Sequence, residues 1–271
     1  MIKHIFSDMD GTLLNSQGVI SKTNTDIIKA SKIPLTLVSA RAPMEMAAVI
    51  DCLQLSTPQI GFNGGLIFQR QATSWHVLQE STIELATAAH IYQLVQQKFP
   101  NVSRSFYDRD RWYAPRIDVG IQYEHQLTDQ IPTMTASTEF FADATHQVFK
   151  LMLITFDPEE MTALQSCLTD LNLAGISIQQ AGAAYLEITS DQAKKSRGID
   201  YILAHDHLVK ADTAAFGDGY NDLPMLKRVG YPIVMANAQP DIQQAGRVIT
   251  KTNDEDGVGY GIQHWLSQGG Q

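Results

Sequence analysis

Short apolar runs alternate with segments of helical periodicity along this chain. Met1 to Phe6, Leu35 to Val38, Gln59 to Phe62, Thr213 to Phe216, Pro232 to Met235 and Arg247 to Thr250 have the length and content of buried strands. Between and after them, helical spacing covers Thr23 to Ser31, Pro43 to Leu53, Lys195 to His205, Tyr220 to Val229 and Val258 to Leu266. Pro43 suits a first helical position, where its missing N–H would be an orphan donor in any case. Strands alternating with helices predict an α/β fold, a Rossmann-like doubly wound parallel sheet with helices on both faces.

Composition narrows the class. At 271 residues the chain can hold one large domain or two of ordinary size. A net charge of −9 argues against nucleic acid as partner, since phosphate backbones are bound by basic surfaces. Small phosphorylated molecules stay allowed, because their charge is met locally. No run approaches the roughly 18 apolar residues of a membrane span, and charge interrupts MIKHIFSDMDG too soon for a signal peptide. A cytoplasmic protein is expected, without a membrane partner, as a monomer or weak homodimer. Cys52 and Cys167, far apart and outside any CxxC pattern, indicate neither a disulfide framework nor zinc, and read as small buried apolar residues.

Two acidic loops carry the chemistry. Asp8-Met-Asp-Gly-Thr12 follows the first strand, and Gly217-Asp-Gly-Tyr-Asn-Asp222 follows another about 200 residues later. In an open α/β sheet the carboxyl ends of parallel strands line a common crevice, so Asp8, Asp10, Asp218 and Asp222 can converge. Two unit charges about 4 Å apart repel by roughly 4 kcal/mol at an effective dielectric of 20, so such a cluster calls for protons or a cation. All-oxygen ligands with no nearby His or Cys favour magnesium. Other readings fail on the letters. A calcium hand opening at Asp8 needs Gly and Glu where Leu13 and Val19 stand, and one opening at Asp218 meets Leu223 at its sixth position. A dinucleotide fingerprint from Gly217 would place Asp222 at its third glycine, against a pyrophosphate.

DMDGT, Ser39-Ala-Arg41 after the strand Leu35 to Val38, Lys195 at a helix start, and GDGYND together resemble the four motifs of the haloacid dehalogenase-like superfamily. The resemblance spans nearly the whole chain. It is nearest the Cof-type phosphatases, which also carry elements similar to Asn63-Gly64 and Asp256-Gly-Val258. Two departures stand out: Ser39-Ala40-Arg41 replaces the usual Thr-Gly-Arg, and Lys195-Ser196 replaces Lys-Gly, leaving Lys194 as a competitor.

Motif spacing places a second domain. Asp8 and Ser39 leave room for one helix and one strand, whereas about 155 residues separate Ser39 from Lys195. An insert is therefore expected at 82–189, with 1–81 and 190–271 forming the core. It would open with the amphipathic helix Ile83 to Phe99. Asp157-Pro-Glu-Glu160 resembles a capping box opening a helix to Leu171, and strands at Gln147 to Thr155 and Tyr185 to Thr189 make the insert α+β. By resemblance this is a type-2 cap that determines substrate specificity.

The resemblance implies a magnesium-dependent phosphatase acting on small phosphorylated metabolites through an aspartyl phosphate. Asp8 would be the nucleophile and Asp10 the general acid and base. Asp8, the Asp10 carbonyl and Asp218 would hold Mg2+, with Asp222 on a metal-bound water. Ser39 and Lys195 would contact the phosphoryl group, with Arg41, Asn63, Gly64 and Asn221 also at phosphate or substrate. Plainer readings stand beside these. Ser39 can cap the helix after it, and Lys195 can be a solvated helix lysine. His205-x-His207 reads as a helix end, and Arg104 to Tyr113 as an exposed hairpin. A phosphomutase or sugar-phosphate specialist, or a non-catalytic metabolite-binding regulator, are the alternative functions; the intact Asp8, Asp10, Lys195 and Asp218 set argues against the last.

Overall fold

The apolar strand His4–Ser7 sits inside a five-stranded sheet whose spatial order is Val248–Ile249, Tyr231–Val234, Thr213–Gly217, His4–Ser7, Leu35–Leu37, every pair parallel. This computed structural model describes residues 1–72 and 74–266. The chain begins within the sheet, winds outward to Leu35–Leu37, and later returns to add three strands on the other side of His4–Ser7. That is the doubly wound arrangement expected, with its switch point between His4–Ser7 and Thr213–Gly217. A single parallel bridge, Val38 to Ile60, extends the sheet to Gln59–Gly61, which then turns into an antiparallel ladder with Leu66–Gln71 and Ser74–Glu80.

Local chemistry explains where the helices begin. Ser21 caps Lys22–Ser31 by accepting the Asn24 N–H, and Lys32 ends that helix in the left-handed region. Pro43–Leu53 and Lys195–His205 start and stop where periodicity predicts. Phe6, Val38, Ile60, Ile199, Ile202, Ala215 and Val234 are among the buried side chains joining helices to sheet. Burial of each large apolar side chain contributes about 1.5–3 kcal/mol.

Two unit compositions follow from the packing. One comprises Met1–Arg41, Met46–Glu80 and Lys194–Gln271; the other comprises Ala42–Glu45 and Ser81–Ala193. The second unit contains a six-stranded sheet in the order Ile176–Ala181, Tyr185–Ser190, Lys150–Ile154, Ser103–Tyr107, Trp112–Ala114, Thr133–Met134, antiparallel except for its last pair. Helices Leu85–Lys98 and Pro158–Asp170 supply Ile91, Val95, Leu164 and Leu168 to its apolar core. Asp157 caps the latter helix through the N–H groups of Glu159 and Glu160, but Glu160 takes the Thr155 hydroxyl instead of closing a reciprocal box.

Several local expectations are corrected. The helix expected over Tyr220 to Val229 is a 3-10 turn, Tyr220–Asp222, followed by one α-turn, Leu223–Leu226. Asp222 draws the start tight by accepting the N–H groups of Asp218 and Gly219. Val258 to Leu266 splits into α-helix Gly257–Gly261 and a wider π segment, Ile262–Leu266. Arg104 to Tyr113 is a hairpin with buried strands, because Ser103–Tyr107 and Trp112–Ala114 are interior to the sheet. Cys52 is exposed and Cys167 half-buried; Met46, Val49, Ile50 and Leu53 take the inner face of the helix, leaving position 52 outside. Among the described residues, no helix is long and apolar enough to cross a membrane.

Candidate active site

Strand register gathers the site. Ser7 lies opposite both Phe216 and Leu37, so Asp8, Asp218 and Ser39 leave the sheet at the same carboxyl edge. The backbone continues the alignment: Asp8 N–H donates to Phe216 O at 3.0 Å and Ser39 N–H to Ile60 O at 2.9 Å. Gly11 is required by the turn that follows. It has φ +75°, and a Cβ there would lie 2.4 Å from Asp218 Oδ2. Thr12 donates its hydroxyl to Asp218 Oδ1 at 2.7 Å, tying the two acidic loops together across the fold.

Lys195 is the buried lysine of the pair, and Lys194 is the exposed one. Gly64 lets the chain pass close beneath this helix start: with φ +102°, a Cβ on it would meet Lys194 O at 2.3 Å. Gly64 therefore has a packing role at this helix start. The Lys195 Nζ donates to Asp8 Oδ1 at 2.6 Å and to Asp222 Oδ1 at 2.7 Å, with its side chain 1% exposed. Asp222 Oδ2 accepts the N–H groups of Asp218 and Gly219 at 3.0 and 2.9 Å, so both its oxygens are engaged.

Charge at this point is unbalanced. Carboxylate oxygens of Asp8, Asp218 and Asp222 lie within 4.8 Å of one another, against one ammonium. Burial and the neighbouring Asp222 push Asp8 well above the usual carboxylate range despite Lys195. Burial pushes Asp218 up to about 6 although Thr12 opposes it. Burial by itself would lower Lys195, but Asp222 and then Asp8 outweigh it and hold the ammonium above its ordinary value. An additional cation would relieve both raised carboxyls. The donors are oxygens alone, which fits a hard divalent ion, and Asp8 and Asp218 are better disposed to hold it than the fully hydrogen-bonded Asp222.

The other expected residues are distributed around this cluster. Asp10 does not join it; its carboxylate faces the Arg41 guanidinium, which donates from Nε at 2.8 Å and from a terminal nitrogen at 2.6 Å. Ser39 is buried, and its Oγ accepts the Arg41 N–H at 3.1 Å, so it shapes its own turn and does not cap Pro43–Leu53. Asn63 is in the left-handed region at φ 55°, and its Oδ1 receives the Asn221 amide at 3.5 Å. The His205-x-His207 pair lies outside the acidic cluster.

Sequence reasoning missed three contacts. The Thr12 hydroxyl finds its partner 206 positions away. Asn237 supports the first loop by donating to Gly11 O at 2.8 Å, and Asn253 donates to Leu14 O at 2.9 Å. No motif marks either asparagine. The Asp10–Arg41 pair was legible in principle, since each residue follows one of two adjacent strands.

Paired carboxylates and a buried lysine thus stand at the switch point of a doubly wound sheet, the place where such folds bind their ligands. Residues 5–262 match the haloacid dehalogenase-like hydrolase family, and the chain belongs to it. A Haemophilus influenzae relative is 29% identical over 265 residues, covering 95% of this chain and 96% of its own. The Bacillus subtilis 5-amino-6-(5-phospho-D-ribitylamino)uracil phosphatase YwtE is 27% identical, covering 98% and 99% respectively. A solved haloacid dehalogenase-like hydrolase from Bacteroides thetaiotaomicron superposes with a TM-score of 0.87 at 26% identity, over 97% of this chain and 99% of that one. With these relatives the chain is an enzyme of the phosphoric monoester hydrolase class.

Proposed function

We propose that this enzyme hydrolyses small phosphorylated metabolites in two steps through a phosphorylated Asp8, with magnesium as its cofactor. The observation that carries the reading is the Asp8 carboxylate, buried, fixed by Lys195 at 2.6 Å and adjacent to Asp218. In the first step an Asp8 oxygen bonds to phosphorus as the ester P–O bond breaks, and Asp10 gives its proton to the departing alkoxide. In the second, Asp10 takes a proton from the water that attacks the phosphorus, and Asp8 leaves as a carboxylate. Lys195 orients Asp8 and stays charged beside the phosphoryl oxygens, while the Ser39 hydroxyl, Asn63 and Asn221 donate toward them. Magnesium held by Asp8, Asp218 and the Asp10 carbonyl would offset repulsion between nucleophile and phosphate.

The unit containing Ser81–Ala193 is read as the cap, expected at 82–189, that recognises the leaving alcohol. Supporting this is its buried polar cluster. Lys150 Nζ contacts Glu187 at 3.1 Å, and Glu124 accepts hydroxyls from Tyr107 at 3.3 Å and Tyr185 at 2.8 Å. Buried polar groups are costly unless paired, so such a cluster is kept for structural uniqueness or for recognition. Phosphate release across sugar phosphates, nucleotides, flavin mononucleotide, pyridoxal phosphate and the substrate in the YwtE name would define the alcohol. The covalent route is tested separately. Asp10→Asn with p-nitrophenyl phosphate should accumulate one phosphoryl group on Asp8, seen by intact-mass spectrometry after rapid quenching, and Asp8→Asn should abolish turnover. Turnover of Asp8→Asn at the wild-type rate would overturn the mechanism.

A further inference from the structure

We propose that Arg41 is the positioning residue of Asp10 and not a ligand of the substrate phosphate; this rests on the two-step reading above. The fork geometry is the starting point. Nε donates to one Asp10 oxygen at 2.8 Å and a terminal nitrogen to the other at 2.6 Å, the parallel arrangement in which a guanidinium fixes both the place and the plane of a carboxylate. Among the described residues, both hydrogen bonds to the Asp10 side chain come from Arg41.

Burial and backbone anchoring set the direction of control. Asp10 is 57% exposed in its side chain and Arg41 20%, so the arginine is the better held member. Its N–H is bound by Ser39 Oγ at 3.1 Å, and its carbonyl accepts the Phe62 N–H at 3.0 Å. The two residues follow paired strands in fixed register, with Ser7 opposite Leu37. An exposed aspartate without such a partner samples several rotamers, whereas a proton donor works within hydrogen-bond reach of the leaving oxygen. The side-on edge of the guanidinium, Nε with one terminal nitrogen, is the edge used on Asp10.

Leaving-group chemistry separates the two roles. Release of p-nitrophenolate needs little protonation, whereas release of an alkoxide from glycerol 2-phosphate needs the Asp10 proton. Arg41→Ala should therefore slow single-turnover release of glycerol from glycerol 2-phosphate by roughly 10–100-fold, the scale of a misplaced catalytic group. The p-nitrophenolate burst and the inhibition constant of inorganic phosphate should change less than about threefold. Arg41→Lys, which keeps the charge but loses the fork, should restore only part of the glycerol release. In an Asp10→Asn background, Arg41→Ala should add almost nothing, because the group it positions is already gone.

A rise of tenfold or more in the inhibition constant of phosphate, with equal losses for both esters and an undiminished effect in the Asp10→Asn background, would make Arg41 a phosphate ligand and overturn the proposal. Wild-type glycerol release in Asp10→Asn alone would instead overturn the acid–base reading on which it rests. Circular dichroism and thermal unfolding of Arg41→Lys confirm that the comparison is made on folded protein.

Discussion

Replacing Lys195 with methionine removes the one ammonium that two buried carboxylates share, and the cost can be worked from distances. At 2.6 and 2.7 Å the gross attraction of Nζ to Asp8 and to Asp222 is roughly 6 kcal/mol each at an effective dielectric of 20. Desolvation of the ammonium opposes most of this. What survives is the penalty for leaving buried carboxylates without their partner, about 3–5 kcal/mol. Lys195→Met should thus lose about 3–5 kcal/mol in urea unfolding near pH 8, and its Tm should fall by on the order of 10 °C. The loss should depend on pH in a definite direction. Asp8 already sits above the usual carboxylate range, through burial and then Asp222, and removing Lys195 takes away the groups' main opposing influence. A folded-state carboxyl raised above its unfolded value makes the folded state bind more protons, so stability falls as pH rises through that window. Urea titrations at pH 5 and pH 8 should show the smaller loss at pH 5. A loss below about 1 kcal/mol at pH 8, or an equal loss at both pH values, would refute the account of a charge-coupled triad.

Two more perturbations follow from the geometry. Gly11→Ala forces a side chain into the left-handed region and against Asp218 Oδ2, 2.4 Å away; the magnesium concentration for half-maximal phosphatase activity should rise about tenfold, and an unchanged metal titration would contradict the placement of Asp218 at the ion. His4, lowered by burial to about 4, donates from Nε2 to Thr36 Oγ1, whose own hydroxyl goes to Pro58 O. Its folded value is below its unfolded value of 6.5, so the unfolded state binds the extra proton and stability is lost as pH falls from about 6.5 toward 4, by about 3 kcal/mol. His4→Gln should flatten that part of the urea-stability profile, and an unaltered slope between pH 7 and 4 would count against this assignment.

Alternation of short apolar runs with helical periodicity determined the α/β class, because burial on both faces of a parallel sheet demands it at every strand. Helix limits were legible where one residue decides them, as Pro43 does at the start of Pro43–Leu53. The two acidic loops were legible as candidate chemistry because both close apolar runs in one chain; aspartate plus glycine in either loop alone is the ordinary composition of a turn. Tertiary structure decided the pairings. Sequence spacing treats Asp8, Asp10, Asp218 and Asp222 alike, yet register and side-chain reach gather three of them around Lys195 and turn the fourth toward Arg41. Gly64 and Thr12 show the same limit: one is needed for a backbone approach to Lys194, the other for a bond spanning 206 positions. Such contacts depend on where neighbouring strands end, and strand adjacency arises from sheet winding, which no local pattern of residues encodes.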